Sequence, residues 1–165
     1  MIVVSDTSPI TNLIQINHLN LLFDLYGQVI IPPEVLYEVG RLREFGQSLD
    51  SFFLAYAERK IQLREYLDPS DELSKLLTFL DKGESEAILL AKELNADWLL
   101  IDERLGRKAA DERGIRTIGL LGVLTKARQQ QLTPVVKPLL DQLRNDVGFW
   151  FNDQLYQEVL RSVDE

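Results

Sequence analysis

Short apolar runs alternate along the chain with longer segments of helical periodicity. The runs are rich in β-branched and other apolar residues, which predicts short buried strands. They are Ile2–Val4, Val29–Ile31, Trp98–Ile101 and Ile115–Ile118, with a weaker strand expected within Ile61–Leu67. The Trp98–Ile101 run has no polar alternation, which is typical of a central strand that is buried on both faces.

Between these runs, apolar residues recur every three or four positions, a spacing that predicts amphipathic helices. The predicted helices are 9–16, 19–26, 33–40, 49–60, 70–80, 84–94, 103–113, 119–131, 134–144 and 153–163. We expect Thr7 or Ser8 to cap the first helix, Ser70 the fifth and Asn152 the last, and 42–46 to form an exposed loop. Strands that alternate with helices predict an α/β fold with a parallel sheet and helices on both faces.

The length of 165 residues predicts a single domain over 1–165, with the C-terminal helices of 134–165 as an extension packing on the core. There is no cysteine and only one histidine, His18, which excludes thiolate and clustered-histidine metal sites. Any metal would therefore have mainly oxygen ligands, which favours Mg²⁺ or Mn²⁺. No apolar run approaches ~18 residues and no secretory signal is evident, so we expect a cytoplasmic protein without a membrane partner.

The net charge of −8 argues against a broad basic surface for nucleic acid. It does not exclude RNA, because a carboxylate cluster that binds a divalent cation reverses its local charge.

Several carboxylates are expected to meet at one edge of the sheet. Asp6 and Asp102 each follow a predicted strand, and ligands of open α/β sheets lie outside the carboxyl ends of the strands. Glu38 lies on the helix after the second strand, and Glu84 and Glu86 open the helix before the Asp102 strand. Residues two apart on a helix face different ways, so we do not expect the same role for these two glutamates.

A crowded acidic cluster of this kind suits metal-assisted phosphoryl chemistry. Neighbouring carboxylates raise one another's pKa, and a divalent cation relieves that repulsion. Such a site can activate water and clamp a phosphoryl group. The residues alone also allow simpler roles: Asp6 or Asp102 as helix caps, Glu84 and Glu86 at a helix dipole, and Glu38 and Arg107 on the surface.

Five segments together resemble the PIN-domain family in order and spacing. They are Ser5–Ile10, Val29–Val35 with Glu38, Gly83–Ile88, Leu100–Glu103 with Arg107, and Gly119–Leu124. The resemblance covers nearly the whole chain, including the tail from Gly148 to Tyr156, and is closest to stand-alone bacterial PIN proteins related to VapC-type toxins. It implies a three-layer α/β/α fold, Mg²⁺- or Mn²⁺-dependent endoribonuclease activity and, often, an antitoxin partner.

The resemblance also assigns roles to individual residues. Asp6, Glu38 and Asp102 match the family's metal-site acids. Glu84 stands where many members carry aspartate, with Glu86 as its rival for the fourth metal ligand. Ser8 resembles the small hydroxyl residue that orients the first aspartate or a water. Asn12, Glu103 and Arg107 are expected to support the site or the substrate, although the branch often has a second aspartate at the place of Glu103.

The function expected from these features is hydrolysis of RNA phosphodiester bonds. The alternative is a catalytically weak or silent PIN-like module that binds nucleic acid or protein. A receiver-like phosphoacceptor is disfavoured, because Ser5-Asp6 does not supply the adjacent acids that it needs. The aromatic pairs at Phe52-Phe53 and within Phe149–Phe151 predict a homodimer, since a small domain would not bury all of them.

Overall fold

The computed structural model describes all residues of the chain, 1–165. Its strands are β1 (Val3–Ser5), β2 (Val29–Ile31), β3 (Ile61–Leu63), β4 (Trp98–Leu100) and β5 (Thr117–Ile118). Its helices are α1 (Thr7–Gln15), α2 (Asn20–Tyr26), α3 (Pro33–Gly40), α4 (Asp50–Ala57), α5 (Glu72–Leu76), α6 (Lys82–Glu93), α7 (Arg104–Asp111), α8 (Leu120–Gln129), α9 (Lys137–Gln142) and α10 (Asp153–Ser162). A 3-10 turn at Arg41–Phe45 follows α3, and a π-helical segment at Leu143–Val147 follows α9.

The five strands form one parallel sheet in the order β3-β2-β1-β4-β5. From β1 the chain adds β2 and β3 on one side, and it then returns to add β4 and β5 on the other. The strand order therefore reverses between β1 and β4, which is the place where parallel α/β sheets bind ligands. Ser5 pairs with Leu100 in this register, so the segments that leave β1 and β4 emerge side by side.

Alternate residues of the central strands belong to two separate hydrophobic clusters. Val3 and Leu100 lie in the larger cluster, which includes side chains of α1 to α4 and α8 to α10. Val4 and Leu99 lie in the smaller cluster, with side chains of α5, α6 and α7. Helices therefore cover both faces of the sheet, and the three-layer α/β/α prediction is confirmed.

Helix α5 is shorter than predicted and is capped by a different residue. It spans only Glu72–Leu76, and the carboxylate of Asp68 accepts hydrogen bonds from the backbone N–H groups of Glu72 (2.7 Å) and Leu73 (3.0 Å). The cap predicted at Ser70 is therefore wrong. The Asn152 cap of α10 is confirmed, because its side chain accepts from the Leu155 N–H. The 42–46 segment is largely exposed as predicted, although it forms most of the 3-10 turn.

The C-terminal residues share the larger hydrophobic cluster. Val136, Leu143 and Val159 are buried there together with β-sheet residues such as Val3 and Leu100. No helix of the structure is both long enough and apolar enough to cross a membrane.

Only part of the aromatic surface expected for a dimer is exposed. Phe52 is fully buried and Phe151 is 4% exposed, whereas Phe53 is 37% and Trp150 is 80% exposed. Phe52 and Phe151 bury their rings within their own chain. The homodimer therefore stays a prediction, and it rests on fewer exposed side chains than the sequence suggested.

Candidate functional site

Asp6 follows β1 directly and lies at the point where the strand order reverses. Its backbone N–H donates to the Leu100 carbonyl (2.9 Å), which ties it to the end of β4. Asp6 occupies the N-cap position of α1, but its side chain does not cap the helix, and neither Thr7 nor Ser8 is the cap residue that the sequence predicted. The Asp6 carboxyl group is therefore available to bind a ligand at this edge of the sheet.

The Asp6 carboxylate is buried and incompletely paired. The residue is 3% exposed, and its Oδ1 atom has no hydrogen-bond partner. Burial raises the pKa of this carboxyl well above its usual range, and the charges of Asp81, Glu84 and Glu38 raise it further, against a lowering contribution from the Thr7 N–H. Buried polar oxygens normally have a partner, so this atom marks a place for a donor or a cation.

Glu38 reaches this group from α3. Its carboxylate accepts a hydrogen bond from the Thr7 hydroxyl, and it lies against Gly83 in the first turn of α6. A Cβ atom at Gly83 would come within 2.7 Å of Glu38 Oε2, so a side chain at this position would displace the Glu38 carboxylate. Burial and then the charge of Asp81 raise the pKa of Glu38, although the Thr7 hydrogen bond lowers it. Glu38 is therefore part of the acidic cluster and not a freely solvated residue.

Glu84 joins the cluster through the start of α6. Asp81 caps this helix: its Oδ1 accepts from the Glu84 N–H (2.8 Å), and Glu84 Oε2 accepts from the Asp81 N–H (3.1 Å). This reciprocal capping box starts the helix at Lys82, two residues before the predicted start. Burial, followed by the Asp81 charge, raises the pKa of Glu84 to about 7.

Glu86 points to a different place. Its Oε1 accepts from the Glu34 N–H in the first turn of α3 (3.2 Å), where the N-cap residue Pro32 supplies no side-chain cap. Glu86 is not among the charges that most perturb Asp6, whereas Glu84 is. Of the two rival glutamates, the geometry therefore groups Glu84 with Asp6 and Glu38.

Asp102 stands beside the cluster and is held by a chain of hydrogen bonds. Its Oδ1 accepts from the Leu120 N–H at the start of α8 (2.7 Å), and its Oδ2 accepts from Ser8 Oγ (3.2 Å). Ser8 Oγ in turn accepts from Asn12 Nδ2 (3.1 Å). Burial raises the pKa of Asp102, while the Leu120 and Ser8 hydrogen bonds and the charge of Arg107 lower it. Ser8 and Asn12 thus orient Asp102 rather than the first aspartate.

Glu103 and Arg107 lie at the exposed border of the site. Glu103 occupies the N-cap position of α7 without capping it by its side chain, and its charge acts on both Glu84 and Asp102. Arg107 is exposed. A Cβ atom built on Gly119 would lie 2.9 Å from Asp102 Oδ1 and 3.5 Å from Arg107 Nη1, so both side chains border this glycine. A cation at this position can meet an anionic group that approaches Asp102.

Two members of the site were not predicted from the sequence. Asp81 perturbs the pKa of Asp6, Glu38 and Glu84, and Thr7 donates to Glu38. The spacing of Asp81 and Glu84 is that of a capping box, which was the available signal. Thr7 had no such signal, because its partner lies 31 residues away.

The donor set is composed of carboxylates, which suits a hard divalent cation, and the unpaired Asp6 oxygen suits a positive charge. No group of three or more Asp, Glu or His side chains has a geometry that could hold a metal ion. In this structure the carboxylates bond to separate donors: Glu38 to the Thr7 hydroxyl, Glu84 to the Asp81 N–H and Asp102 to the Leu120 N–H.

Comparison with known proteins identifies the fold and the family. A family model described as PIN domain (DUF3368) matches residues 2–165. Among solved structures, the chain is similar to SSO1118, a PilT N-terminus domain protein from the hyperthermophilic archaeon Sulfolobus solfataricus P2. The two are 24% identical with a TM-score of 0.52, and the match covers 77% of this chain and 93% of that one. This similarity shows a shared fold. No curated protein matches the chain.

Proposed function

The chain belongs to the PIN domain family, and from this membership we propose that it is a Mg²⁺- or Mn²⁺-dependent endoribonuclease that hydrolyses RNA phosphodiester bonds. PIN domains are typically nucleases and generally use divalent metal ions. The observation that carries the proposal is the unpaired Oδ1 of Asp6, buried among other carboxylates where the strand order reverses. A lone buried carboxylate oxygen is costly, and a cation would relieve that cost.

Four acids share one task in this proposal. Asp6, Glu38, Glu84 and Asp102 would bind the cation, with Asp6 and Asp102 held by the strand ends and the two glutamates supplied by helices. Glu38 would exchange its Thr7 hydrogen bond, and Glu84 its bond to the Asp81 N–H, for the cation. The bound ion would lower the pKa of a water nucleophile and neutralise charge on the phosphate.

The surrounding residues position the substrate and the acids. Asn12 and Ser8 hold the Asp102 carboxylate in one orientation through their chain of hydrogen bonds. Arg107 contacts the RNA phosphate as it reaches Asp102, because a guanidinium suits bidentate binding of phosphate oxygens. Glu103 adds negative charge near Glu84 and Asp102, and so favours cation binding. Glu86 keeps its contact with the start of α3 and is the weaker candidate for a ligand.

Cleavage of single-stranded RNA with Mn²⁺ or Mg²⁺, and its loss in EDTA, tests the proposal. The Asp6→Asn variant keeps the shape of the side chain but loses its charge, so cleavage should fall at least ~10²-fold. Calorimetry should also show weaker Mn²⁺ binding to this variant. Glu86→Gln is the matched control and should cleave like the wild type. Equal heats and equal cleavage for Asp6→Asn and the wild type would remove Asp6 from the site.

A second candidate function is a silent PIN-like module that binds nucleic acid or protein. The absence of a ready-made group of three metal-binding side chains favours it. This alternative predicts that calorimetry detects only weak Mn²⁺ binding and that the heat does not depend on Asp6. RNA would then bind without being cleaved.

The biological setting is also proposed. We infer a toxin of a toxin–antitoxin pair in the cytoplasm, inhibited by a protein partner, from the resemblance to the VapC-related branch. We further infer a homodimer, supported by exposed apolar side chains on α3, the 3-10 turn and α4, namely Tyr37, Phe45 and Leu54. A small, basic or DNA-binding protein encoded next to this chain would support the toxin assignment.

A further inference from the structure

A cleft of about 440 Å³ lies directly beside Asp102. It is bounded by the end of β5, the start of α8 and the segment Phe149–Phe151 before α10. Asp102 and Arg107 line it together with the three aromatic residues Phe149, Trp150 and Phe151. The cleft is thus continuous with the candidate site but lies outside the acidic cluster around Asp6.

The segment that bears Trp150 is anchored on both sides, while the Trp150 ring is exposed. Phe151 is buried and stacks on Tyr156, with ring centroids 6.2 Å apart, and it also contacts Phe149 at 6.0 Å. The Arg144 guanidinium lies over the rings of Phe151 and Tyr156 at 5.2 and 4.4 Å. Trp150 remains 80% exposed although it is the residue type with the largest apolar surface to bury. This framework places the solvent-exposed Trp150 ring at the edge of the cleft.

We propose that this cleft is a nucleobase subsite, in which one base of single-stranded RNA stacks on Trp150 while the adjoining phosphate binds Arg107 at the side of the cleft that leads to Asp102. The inference rests on the proposed ribonuclease function and adds to it a base-binding side chain outside the acidic cluster. Base stacking on aromatic side chains is the common way to bind single strands, because every base has a π-face. The arginine supplies the charge that the phosphate needs.

The size of the cleft favours a single nucleotide over a second copy of the chain. A volume of about 440 Å³ lies near the lower end of small-molecule sites. Of the three aromatic residues in the segment, only Trp150 is largely exposed, and one tryptophan offers about 150–250 Å². A stable protein interface buries about 800 Å² per partner, so this ring alone would not support one.

The chain offers a direct spectroscopic probe of this site. It has two tryptophans, and Trp98 lies at the opposite end of β4 from Asp102, under Arg116 and Lys126. The substitution Trp98→Phe leaves Trp150 as the only tryptophan. We combine it with Asp6→Asn and measure in EDTA, so that the RNA stays intact whether or not the wild type is a nuclease.

Single-stranded RNA of about ten nucleotides should quench Trp150 fluorescence in a saturable manner. The same strand with abasic positions, and a duplex of the same sequence, should quench little. In an anisotropy assay with fluorescein-labelled RNA, Trp150→Ala should weaken binding about 5- to 150-fold, the range for losing one stacked base, and Trp150→Phe should restore most of it. Trp150 is exposed, so these variants should melt like the parent.

The outcomes separate the subsite from the nuclease. Quenching by single-stranded RNA without any Mn²⁺-dependent cleavage by the wild type would support the subsite and contradict the ribonuclease. Cleavage and RNA affinity that are both unchanged in Trp150→Ala would overturn the subsite and leave the ribonuclease standing. A Trp150→Ala variant that becomes monomeric but binds RNA like its parent would also overturn it, because the ring would then belong to a protein interface.

Discussion

Glu84 should make the metal-free protein less stable as the pH rises, and Glu84→Gln should remove that loss. The pKa of this carboxyl rises from 4.5 to about 7 on folding, chiefly through burial and then through the Asp81 charge. The folded state therefore holds more protons than the unfolded state between these pH values. Stability is highest below about pH 4.5 and is lost as the pH rises through about 7.

The magnitude follows from the same pKa. One pKa unit corresponds to about 1.4 kcal/mol, so a fully shielded carboxyl with this pKa would cost about 3 kcal/mol above pH 7. Part of the pKa shift comes from the charge of Asp81, which is exposed and therefore screened by solvent, so we expect a smaller cost, on the order of 1–2 kcal/mol. In Glu84→Gln the side-chain amide oxygen would still accept from the Asp81 N–H, so the capping box would survive.

Thermal melts in EDTA at about pH 5 and about pH 8 measure the effect. Glu84→Gln should melt like the wild type at the lower pH and about 2–8 °C higher at the upper one, on the scale for a chain of this size. Glu86→Gln is the control, because it makes the same change on the same helix but away from Asp6. Mn²⁺ should raise the melting temperature of the wild type more than that of Glu84→Gln. A melting difference that is the same at both pH values, or equal in the two variants, would refute this role of Glu84.

The other predictions concern Asp102 and the oligomeric state. Asp102→Asn should reduce Mn²⁺-dependent cleavage at least ~10²-fold. Its metal-free melting temperature should stay equal or rise, because the amide oxygen still accepts from the Leu120 N–H. Full cleavage by this variant would contradict a catalytic role. Asp102→Ala loses that helix contact and should also be about 1 kcal/mol less stable by denaturant unfolding. Sedimentation at tens of micromolar should give twice the chain mass of 19.0 kDa. The Phe45→Ser variant should shift to the monomer mass. A clean monomer for the unaltered chain would count against the dimer.

The positions of Asp6 and Asp102 could be predicted because they depend on strand pattern alone. Buried β-branched runs identify β1 and β2, and a run without polar alternation identifies β4 as central. In a parallel sheet the carboxyl ends of these strands share one edge. A residue that directly follows β1 or β4 therefore lies at that edge, whatever the helices do.

The side-chain contacts at several helix starts could not be predicted in the same way, even where the boundary was correct, as for α3, because the partner residues lie far away along the chain. Glu86 contacts the start of α3 from 52 residues away, and Asp102 contacts the start of α8 from 18 residues away. The carboxylate of Glu165 accepts from the Val136 and Lys137 N–H groups at the start of α9, 29 and 28 residues away. Such contacts satisfy the free N–H groups of a helix but leave no local signature in its sequence.

Gly83 shows how a local rule can point the wrong way. Glycine next to Asp81 and Lys82 suggested a break, whereas the structure includes Gly83 in the first turn of α6. The missing side chain admits the Glu38 carboxylate from α3, a contact between residues 45 positions apart. A packing requirement, and not a turn, therefore explains this glycine.

The strand-end acids and the helix acids of the site differ in how firmly they are held. Asp6 and Asp102 are placed by sheet pairing, and Asp102 is also held by Ser8 and Leu120. Glu38 and Glu84 each bond to a donor that water could replace, the Thr7 hydroxyl and the Asp81 N–H. The pKa of Glu84, raised to about 7, reduces its repulsion of Asp6 near neutral pH, so the fold can form before a cation binds. Cation binding should then release a proton from Glu84, which makes the affinity for Mn²⁺ rise with pH.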